Sequence, residues 1–269
     1  MIDLHCHLLP GVDDGATDDA ASLEMARIAV ADGIRVTACT PHIYPGLYDN
    51  DSRKIAAGIT RLQQKLRDEG IALSLTIGAD AHLTPELLPR LRDRSAPTLA
   101  ASRYFLLEPP ASVATPRFAD AMFAFIAHGY VPILTHPERL GWIRRHYSAF
   151  AELVRSGVWM QVTAGSLTGR FGKTPQYFSE KMLDDGLVHL LATDAHGPRH
   201  RAPLLAEGRK AAERWVGSEE AQRLVGERAQ AVLDDVPAAE VAPVPLLQIK
   251  TRQPRPGWFA RLLSSGSRR

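Results

Sequence analysis

The first residues of the chain are of types that bind metal ions. The segment Met1-Ile-Asp-Leu-His-Cys-His7 is a short apolar start that leads into two histidines, and an acidic turn with Asp13 and Asp14 follows it. Residues two apart in an extended segment point to the same side, so His5 and His7 can bind one metal ion from the end of a strand. A single pair of this kind is a weak sign. The pattern recurs, however, because apolar runs end repeatedly at a His, an Asp or a Glu.

Apolar segments that indicate strands alternate with segments whose apolar residues recur at helical spacing. Glycines at helix ends, and Thr84 as a cap before Pro85, support the predicted helix boundaries. The predicted strands are 1–7, 34–40, 71–77, 104–107, 130–135, 158–163 and 187–193. The predicted helices are 18–32, 52–69, one that begins at 84, 116–128, 147–155, 175–185, 203–216 and 218–236.

This alternation of strands and helices favours a parallel sheet, and the continuous apolar strands indicate that both of its faces are covered. The chain has 269 residues, 45% of them hydrophobic, which is enough for a single α/β barrel. In a closed barrel of this kind the functional groups lie at the carboxyl ends of the strands. Six of the seven predicted strands end at ionisable residues, and only the sixth does not. These residues are His5 and His7, His42, Asp80, Glu108, His136, and Asp194 with His196.

The composition argues against several classes of protein. A net charge of +2 gives no reason to expect a nucleic-acid partner, and the composition is not that of a disordered chain. The two cysteines, Cys6 and Cys39, suit a reducing compartment. We find no basic-then-apolar leader, and no apolar run approaches the roughly 20 residues that span a bilayer. We therefore expect a cytoplasmic protein.

The composition changes at Pro237. Five prolines between positions 237 and 256 predict a linker or an extended strap. We therefore expect a barrel over residues 1–236, followed by a linker and a basic, aromatic tail over 237–269. Four apolar residues of the tail share one side of a helix, and they are Trp258, Phe259, Leu262 and Leu263. Because arginines flank them, the tail is expected to contact the inner membrane weakly and in a salt-sensitive way.

The residues at the strand ends favour a particular metal chemistry. Histidines and carboxylates without paired thiolates favour divalent Mn, Fe or Zn over a structural zinc site built from cysteines. Eight ligands are too many for one ion, which indicates a cluster of two or three ions. Such clusters clamp a phosphoryl group and lower the pKa of a water molecule, so that hydroxide forms near neutral pH. Arg139, Arg199 and Arg201 follow these ligands closely and could bind phosphate oxygens.

The order and spacing of these motifs resemble the PHP (polymerase and histidinol phosphatase) superfamily. Within it, residues 1 to about 205 resemble the bacterial capsule and exopolysaccharide tyrosine phosphatases of CpsB/YwqE type. The motifs are His5-Cys-His-Leu-Leu-Pro-Gly-Val-Asp-Asp-Gly15, Pro41-His42, His136-Pro-Glu-Arg139, Gly165-Ser-Leu-Thr-Gly-Arg-Phe-Gly172 and Asp194-Ala-His196. The resemblance implies an α/β fold, a distorted seven-stranded (β/α)7 TIM-like barrel. It also implies three divalent ions, usually Mn²⁺, and removal of phosphate from the Tyr-rich C-terminal tail of a bacterial tyrosine kinase.

The resemblance further implies roles for individual residues. The first ion would be held by His5, His7 and Asp194, and the second by Glu108 and His136, with Asp80 bridging the two. The third would be held by His42, His196 and a carboxylate of the acidic turn, for which we favour Asp14 over Asp13. Arg139 and Arg201 would bind the phosphate.

The sequence departs from the family pattern at one ligand. The family usually has Glu at the position of Asp80, so we expect a different metal spacing or affinity, for which His82 is a candidate to compensate. Two other functions compete with a tyrosine phosphatase. One is a PHP phosphoesterase for a small molecule such as histidinol phosphate or a nucleotide, and the other is a metal-bound scaffold. A thiol phosphatase is excluded because neither cysteine begins a Cys-x5-Arg loop: position 12 is Val and position 45 is Pro.

Overall fold

The computed structural model describes residues 1–248, so the predicted membrane-contacting residues of the tail lie outside the described part. The strands are β1 Ile2–Cys6, β2 Val36–Cys39, β3 His42–Ile43, β4 Ser74–Ile77, β5 Asp80–His82, β6 Tyr104–Glu108, β7 Val131–Thr135, β8 Trp159–Thr163 and β9 Leu190–Ala192. The α-helices are α1 Asp19–Ala31, α2 Ser52–Asp68, α3 Leu87–Arg92, α4 Phe118–Ala127, α5 Ile143–Arg155, α6 Ala164–Leu167, α7 Lys173–Asp184, α8 Ala206–Arg223, α9 Glu227–Leu233 and α10 Pro245–Gln248. Short 3₁₀ turns span Leu99–Ala101 and Pro137–Arg139.

The strands are parallel and surround a barrel. They form a three-stranded sheet, β1-β2-β4, and a six-stranded sheet, β3-β5-β6-β7-β8-β9. A parallel bridge between Cys6 and Ala195 links the end of β1 to the segment after β9. The predicted strands 34–40 and 71–77 correspond to β2 and β4, and each is followed after a break by a short strand of the other sheet, β3 and β5. Seven strand positions therefore surround a distorted barrel, and the predicted fold is confirmed.

The divided strands place ligands beside one another. His42 on β3 pairs in register with Asp80 on β5, and His82 pairs with Glu108 at the end of β6. A regular continuation of β2 and β4 in the first sheet would not bring these residues to the second sheet. The breaks in the strands thus bring these four side chains together at one end of the barrel.

The interior of the barrel changes from apolar to polar along its axis. Alternate residues of a strand point to the same side. On β6, β7 and β8 the inward residues run from Leu106 to Glu108, from Ile133 to Thr135, and from Trp159 to Gln161. Ala229 and Val232 of α9 join the apolar cluster at the other end. The polar end is therefore the carboxyl end of the strands.

A break in the regular pairing of β1 directs His5 into this interior. Leu4 belongs to the interior apolar cluster, yet the next residue, His5, also reaches inward to Gln161 of β8. Consecutive residues of a regular strand point to opposite faces. The register of β1 on β2 shifts between Asp3 and Cys6, and an irregularity of this kind re-aims a side chain.

The helix after β5 begins later than its predicted cap indicates. Thr84 was expected to cap a helix with Pro85 in its first turn, but α3 begins at Leu87 and the residue before it makes no side-chain cap bond. This prediction is wrong: the Leu87 N–H donates to the Thr84 carbonyl at 3.2 Å, which closes a turn before the helix. Residues 85 and 86 form a turn instead.

Residues 237–248, hereafter the C-terminal strap, lie against the barrel. Arg228 of α9 donates from Nε to the Ala242 carbonyl at 3.0 Å, and Val244 is fully buried. The Leu246 N–H donates to the carbonyl of Gly186, at the end of α7. Among the described residues, no helix is both long enough and apolar enough to cross a membrane.

Candidate metal centre

The ionisable residues at the strand ends come together in one cluster. Within the described part of the chain, three sets of side chains place their donor atoms within 4.8 Å of one another. These sets are His7, Asp14, His42 and His196; His5, His7 and Asp80; and His42, Asp80 and Glu108. Because His7, His42 and Asp80 each occur in two sets, the three sets are contiguous.

The two histidines of β1 are buried and oriented. Their Nε2 atoms lie 3.1 Å apart. The Nδ1 atom of His5 lies 2.8 Å from Gln161 Oε1, and the Nδ1 atom of His7 lies 2.7 Å from Asp13 Oδ2. A metal-binding histidine usually donates its other ring N–H to such an oxygen, which fixes the ring and its tautomer. Both Nε2 atoms therefore point into the cluster, where a cation could bind them.

The acidic turn divides its two carboxylates between two roles. Asp13 Oδ2 also accepts from the His42 N–H at 3.0 Å, and Asp13 Oδ1 accepts from the Gly15 N–H at 2.9 Å. Asp14 Oδ1 instead lies 3.5 Å from His42 Nε2 and 3.4 Å from His196 Nε2. The geometry therefore favours Asp14 as the ligand and Asp13 as the group that orients His7.

Asp80 lies at the centre of the cluster. Its Oδ2 atom is 3.4 Å from His5 Nε2, 3.5 Å from His42 Nδ1 and 3.9 Å from His136 Nε2. This oxygen is buried and has no hydrogen-bond partner among the described residues. A buried charge without a partner is costly, whereas a divalent cation between the carboxylate and the imidazoles would satisfy it. The residues present therefore fit a metal site.

Glu108 joins the same side of the cluster. Glu108 Oε2 is 3.4 Å from His42 Nδ1, and Glu108 Oε1 is 3.7 Å from His136 Nε2. His136 adopts a left-handed backbone conformation with φ of 35°, and strain of this kind is often found at functional sites. His82, the residue considered as a replacement ligand, lies with Nδ1 3.6 Å from Glu108 Oε2.

Asp194 connects the cluster to the two predicted arginines. Its Oδ1 atom lies 3.4 Å from His5 Nε2 and 3.5 Å from His7 Nε2, while Oδ2 accepts from both Arg139 and Arg201. The Phe171 ring lies below both guanidinium groups, with its centroid 4.4 Å from Arg139 Cζ and 5.6 Å from Arg201 Cζ. The arginines are therefore held beside the cluster by an ion pair and by cation–π contact. The Nε atom of Arg201 is a buried donor without a partner in the described chain.

The electrostatics of the site favour bound cations. Burial opposes protonation of His7, but its hydrogen bonds with Asp13 and Asp194 raise its pKa to about 10. Burial also opposes ionisation of Asp194, yet His5, His7 and the two arginines hold the pKa of Asp194 well below its usual range. At His196, burial and the neighbouring His7 lower the pKa to about 4. Five carboxylates thus converge on five buried or half-buried imidazoles, a distribution that attracts positive charge.

Three further residues support the site, and the sequence did not assign them a role. Gln161 orients His5 from the strand that lacks an ionisable end. Glu138 is fully buried and accepts from the Thr163 N–H at 3.0 Å, and burial raises its pKa. The third is Phe171, beneath the arginines. Glu138 lies in the motif that begins at His136, and Phe171 lies in the motif that ends at Gly172. A sequence motif, however, does not indicate which neighbour a side chain contacts.

The chain is similar to known proteins over most of its length. It matches the family model for capsular polysaccharide synthesis, CpsB/CapC, over residues 1–234. It is 38% identical over 220 residues to the tyrosine-protein phosphatase YwqE of Bacillus subtilis, covering 81% of this chain and 86% of that protein. It is 30% identical over 208 residues to the putative tyrosine-protein phosphatase CapC of Staphylococcus aureus, covering 77% and 81% of the two.

A solved structure agrees with this similarity. It belongs to the crystal structures of YwqE from Bacillus subtilis and CpsB from Streptococcus pneumoniae, which are unique metal-dependent tyrosine phosphatases. The two folds match with a TM-score of 0.83 and 37% sequence identity, over 87% of this chain and 95% of the other.

Proposed function

This chain belongs to the CpsB/CapC family of capsular polysaccharide synthesis, and on that premise we propose that it is a metal-dependent protein-tyrosine phosphatase, a phosphoric monoester hydrolase. One observation carries the proposal: the buried Asp80 Oδ2 atom faces three imidazoles without a hydrogen-bond partner in the described chain. Beside it, two arginines converge on Asp194. A cation site next to paired guanidinium groups suits a phosphate ester.

The family uses divalent metal, and we propose three ions, with Mn²⁺ as the native metal and Fe or Zn as the alternatives. In this proposal His5, His7 and Asp194 would hold the first ion, and Glu108 and His136 would hold the second, with Asp80 shared by the two. His42, His196 and Asp14 would hold the third. The three overlapping sets of donor atoms support a cluster of ions, and His136 and Asp194, which occur in none of the sets, adjoin them through Glu108 and His5.

The chain's own groups have distinct tasks in hydrolysis. Bound divalent ions supply Lewis acidity and lower the pKa of water. Arg139 and Arg201 would bind the phosphoryl oxygens, because their planar guanidinium groups offer several N–H donors to an oxyanion. Asp194 and Phe171 hold these two side chains in place, so little conformational freedom is lost when phosphate binds.

The proposed substrate is phosphotyrosine in a protein, in particular the Tyr-rich C-terminal tail of a bacterial tyrosine kinase that controls capsule or exopolysaccharide synthesis. Similarity to tyrosine-protein phosphatases supports the phosphotyrosine, and membership of a capsular polysaccharide synthesis family supports the capsule. A net charge of +2 supports a protein rather than a nucleic acid as the partner.

We place the protein in the cytoplasm, with a weak contact to the inner membrane through the tail from Trp258 to Arg269. The membrane part is tested by sedimentation with anionic vesicles at low salt, comparing the full chain with a chain that ends at Gln248. Equal sedimentation of the two would remove the tail as a membrane contact.

The enzymatic proposal is tested with the full chain loaded with Mn²⁺. Turnover of a phosphotyrosine peptide should exceed turnover of histidinol phosphate and of a dinucleotide. Elemental analysis of the same preparation should find three divalent ions per chain. Faster turnover of histidinol phosphate or the dinucleotide would favour the small-molecule phosphoesterase, and no turnover of any of them would favour the scaffold.

A further inference from the structure

A cleft of about 510 Å³ opens directly from the metal centre. Asp14, His42 and Glu108 lie at its polar floor, and all three belong to the sets of converging donor atoms. Its walls come from two loops, residues 44–48 after β3 and residues 109–113 after β6. A molecule whose phosphoryl group reaches the metal centre would therefore have a continuous path into this cleft.

One wall of the cleft is aromatic. The rings of Tyr44 and His82 are stacked, with centroids 4.1 Å apart and an interplanar angle of 7°. Tyr44 is 39% exposed although His82 covers one face of its ring. Deeper in the cleft, Tyr48 stacks on His42 at 5.6 Å and 15°. The wall thus offers flat, oriented aromatic surface beside the proposed ligands.

The rim of the cleft concentrates exposed apolar side chains. Five large hydrophobic residues are exposed between residues 1 and 248, and three of them line this cleft. Besides Tyr44 these are Leu47 and Val113, which are 63% and 67% exposed. Scattered exposed hydrophobic residues are ordinary, but a cluster beside a polar site is typical of a binding surface.

Both walls are held in position before any ligand binds. Tyr44 and Tyr48 exchange two backbone hydrogen bonds of 3.1 and 2.8 Å, and the Asn50 side chain ties the same loop to the Val12 and His42 carbonyls. On the other side, Trp142 Nε1 donates to the Pro110 carbonyl at 2.9 Å. A preformed cleft costs little ordering entropy on binding.

We propose that this cleft receives the aromatic ring of the substrate phosphotyrosine, with Leu47 and Val113 contacting an apolar residue beside it in the peptide. The inference rests on the proposed phosphatase function and adds the basis of its specificity. A phosphate group attached to an apolar ring matches a floor of proposed metal ligands below an aromatic wall. Stacked aromatic pairs are favourable beyond the area they bury, and a phosphoserine has no ring to stack. The cleft thus selects aryl over alkyl phosphates.

The test measures kcat and KM of the Mn²⁺-loaded full chain for phosphotyrosine and phosphoserine peptides of identical sequence. Tyr44→Ala should raise the KM for the phosphotyrosine peptide by about five- to tenfold with kcat nearly unchanged, because a uniform binding contact is lost. Leu47→Ala should act in the same direction, and Tyr44→Phe should behave as wild type. Tyr177→Ala is the matched control, since Tyr177 is 57% exposed on α7 and does not line the cleft. Inhibition by orthophosphate should be equal in all variants, because the ring surface does not touch phosphate.

Different failures have different signatures. Suppose that wild type turns over the phosphotyrosine peptide and that neither Tyr44→Ala nor Leu47→Ala changes the KM. The cleft then does not bind the ring, and this inference is overturned while the proposed phosphatase function is not. A change in oligomeric state of Tyr44→Ala by light scattering, with KM unchanged, would assign the cleft to contact between copies. If wild type hydrolyses no phosphotyrosine peptide, both the proposed function and this inference are overturned.

Discussion

Asp80 is a buried carboxylate that three imidazoles of the site share. Its Oδ2 atom lies within 3.9 Å of nitrogen atoms of His5, His42 and His136. We expect Asp80→Ala to lose metal affinity as well as rate, because two cations would then repel each other with less negative charge between them. Elemental analysis should find fewer than three ions per chain.

A longer carboxylate at this position is the matched control. Asp80→Glu should retain metal and turnover, since it restores the residue that the resembled family usually carries. Three bound ions and wild-type turnover in Asp80→Ala would show that this strand end is not a bridging ligand.

The guanidinium of Arg139 is expected to bind phosphate rather than metal. Arg139→Ala should weaken inhibition by orthophosphate by about 1.5–3 kcal/mol, the value of a hydrogen bond to a charged group. Metal content should stay as in wild type. Arg170→Ala is the control, because this arginine lies in the loop next to Phe171 but pairs with Glu207. An unchanged phosphate inhibition constant in Arg139→Ala would remove this residue from the site.

Neither thiol is suited to act as a nucleophile. Cys6 and Cys39 are buried, and burial raises the pKa of both, so the reactive thiolate is disfavoured near neutral pH. We expect chelation to abolish turnover, Mn²⁺ to restore it, and Cys39→Ala to retain most of it. Full activity in excess chelator would contradict the metal dependence.

The acidic turn after β1 depends on a close backbone approach that only glycine permits. A Cβ atom on Gly15 would lie 2.3 Å from the His7 carbonyl oxygen and 2.5 Å from His7 Cβ. Gly15→Ala must therefore displace the turn that carries Asp13 and Asp14. We expect a loss of stability of about 1–3 kcal/mol, as for other overpacked sites, together with weaker metal binding.

The comparison for this prediction is Gly197→Ala, in the loop after β9. There a Cβ atom would meet only the His200 carbonyl, at 3.4 Å, which is an ordinary contact. Melting temperature and metal titration of the two variants separate close packing from a general effect of replacing glycine. Equal melting temperatures and equal metal affinities of the two variants would mean that the turn can move without a loss of stability.

At the level of strands, the sequence predicted which residues lie at the strand ends better than it predicted how the strands pair. The apolar runs that end at His42 and Asp80 were visible, but the division of those strands between two sheets was not. It depends on partners in distant strands, such as the register of His42 with Asp80. The start of α3 was predicted wrongly because Thr84 and Pro85 match a local cap motif, and such a motif does not show whether the cap bond forms.

Across the whole molecule, parallel topology explains why so much of the candidate site could be predicted. All strands of a parallel barrel end on one side, so residues at strand ends converge even when their exact neighbours are unknown. The sequence did not predict the roles of Gln161, of Phe171 or of the Tyr44–His82 stack. These roles arise from contacts between loops and strands that are far apart in sequence. Periodicity carries no information about such contacts.

The C-terminal strap is expected to stabilise the whole barrel from the end opposite the site. Arg228 is fully buried, pairs with Glu220 at 2.7 Å, and donates to the Ala242 and Pro243 carbonyls. A chain that ends at Val236 would leave Arg228 Nε without its acceptor, would leave Nη2 with Glu220 alone, and would expose the apolar surface that Val244 covers. Compared with a chain that ends at Gln248, it should lose about 3 kcal/mol or more, from one buried aliphatic side chain and hydrogen bonds to a charged group.

For a domain of this size, such a loss corresponds to a melting temperature lower by about 6–12 °C. The measurement compares the two truncated chains under identical metal concentration, because bound metal raises the apparent stability of the folded state. Their kcat for a phosphotyrosine peptide at a low temperature should be equal, since the strap contacts α7 and α9 rather than the metal centre. Equal melting temperatures would mean that the barrel is complete at residue 236 and that the contacts of Arg228 and Val244 contribute nothing to its stability.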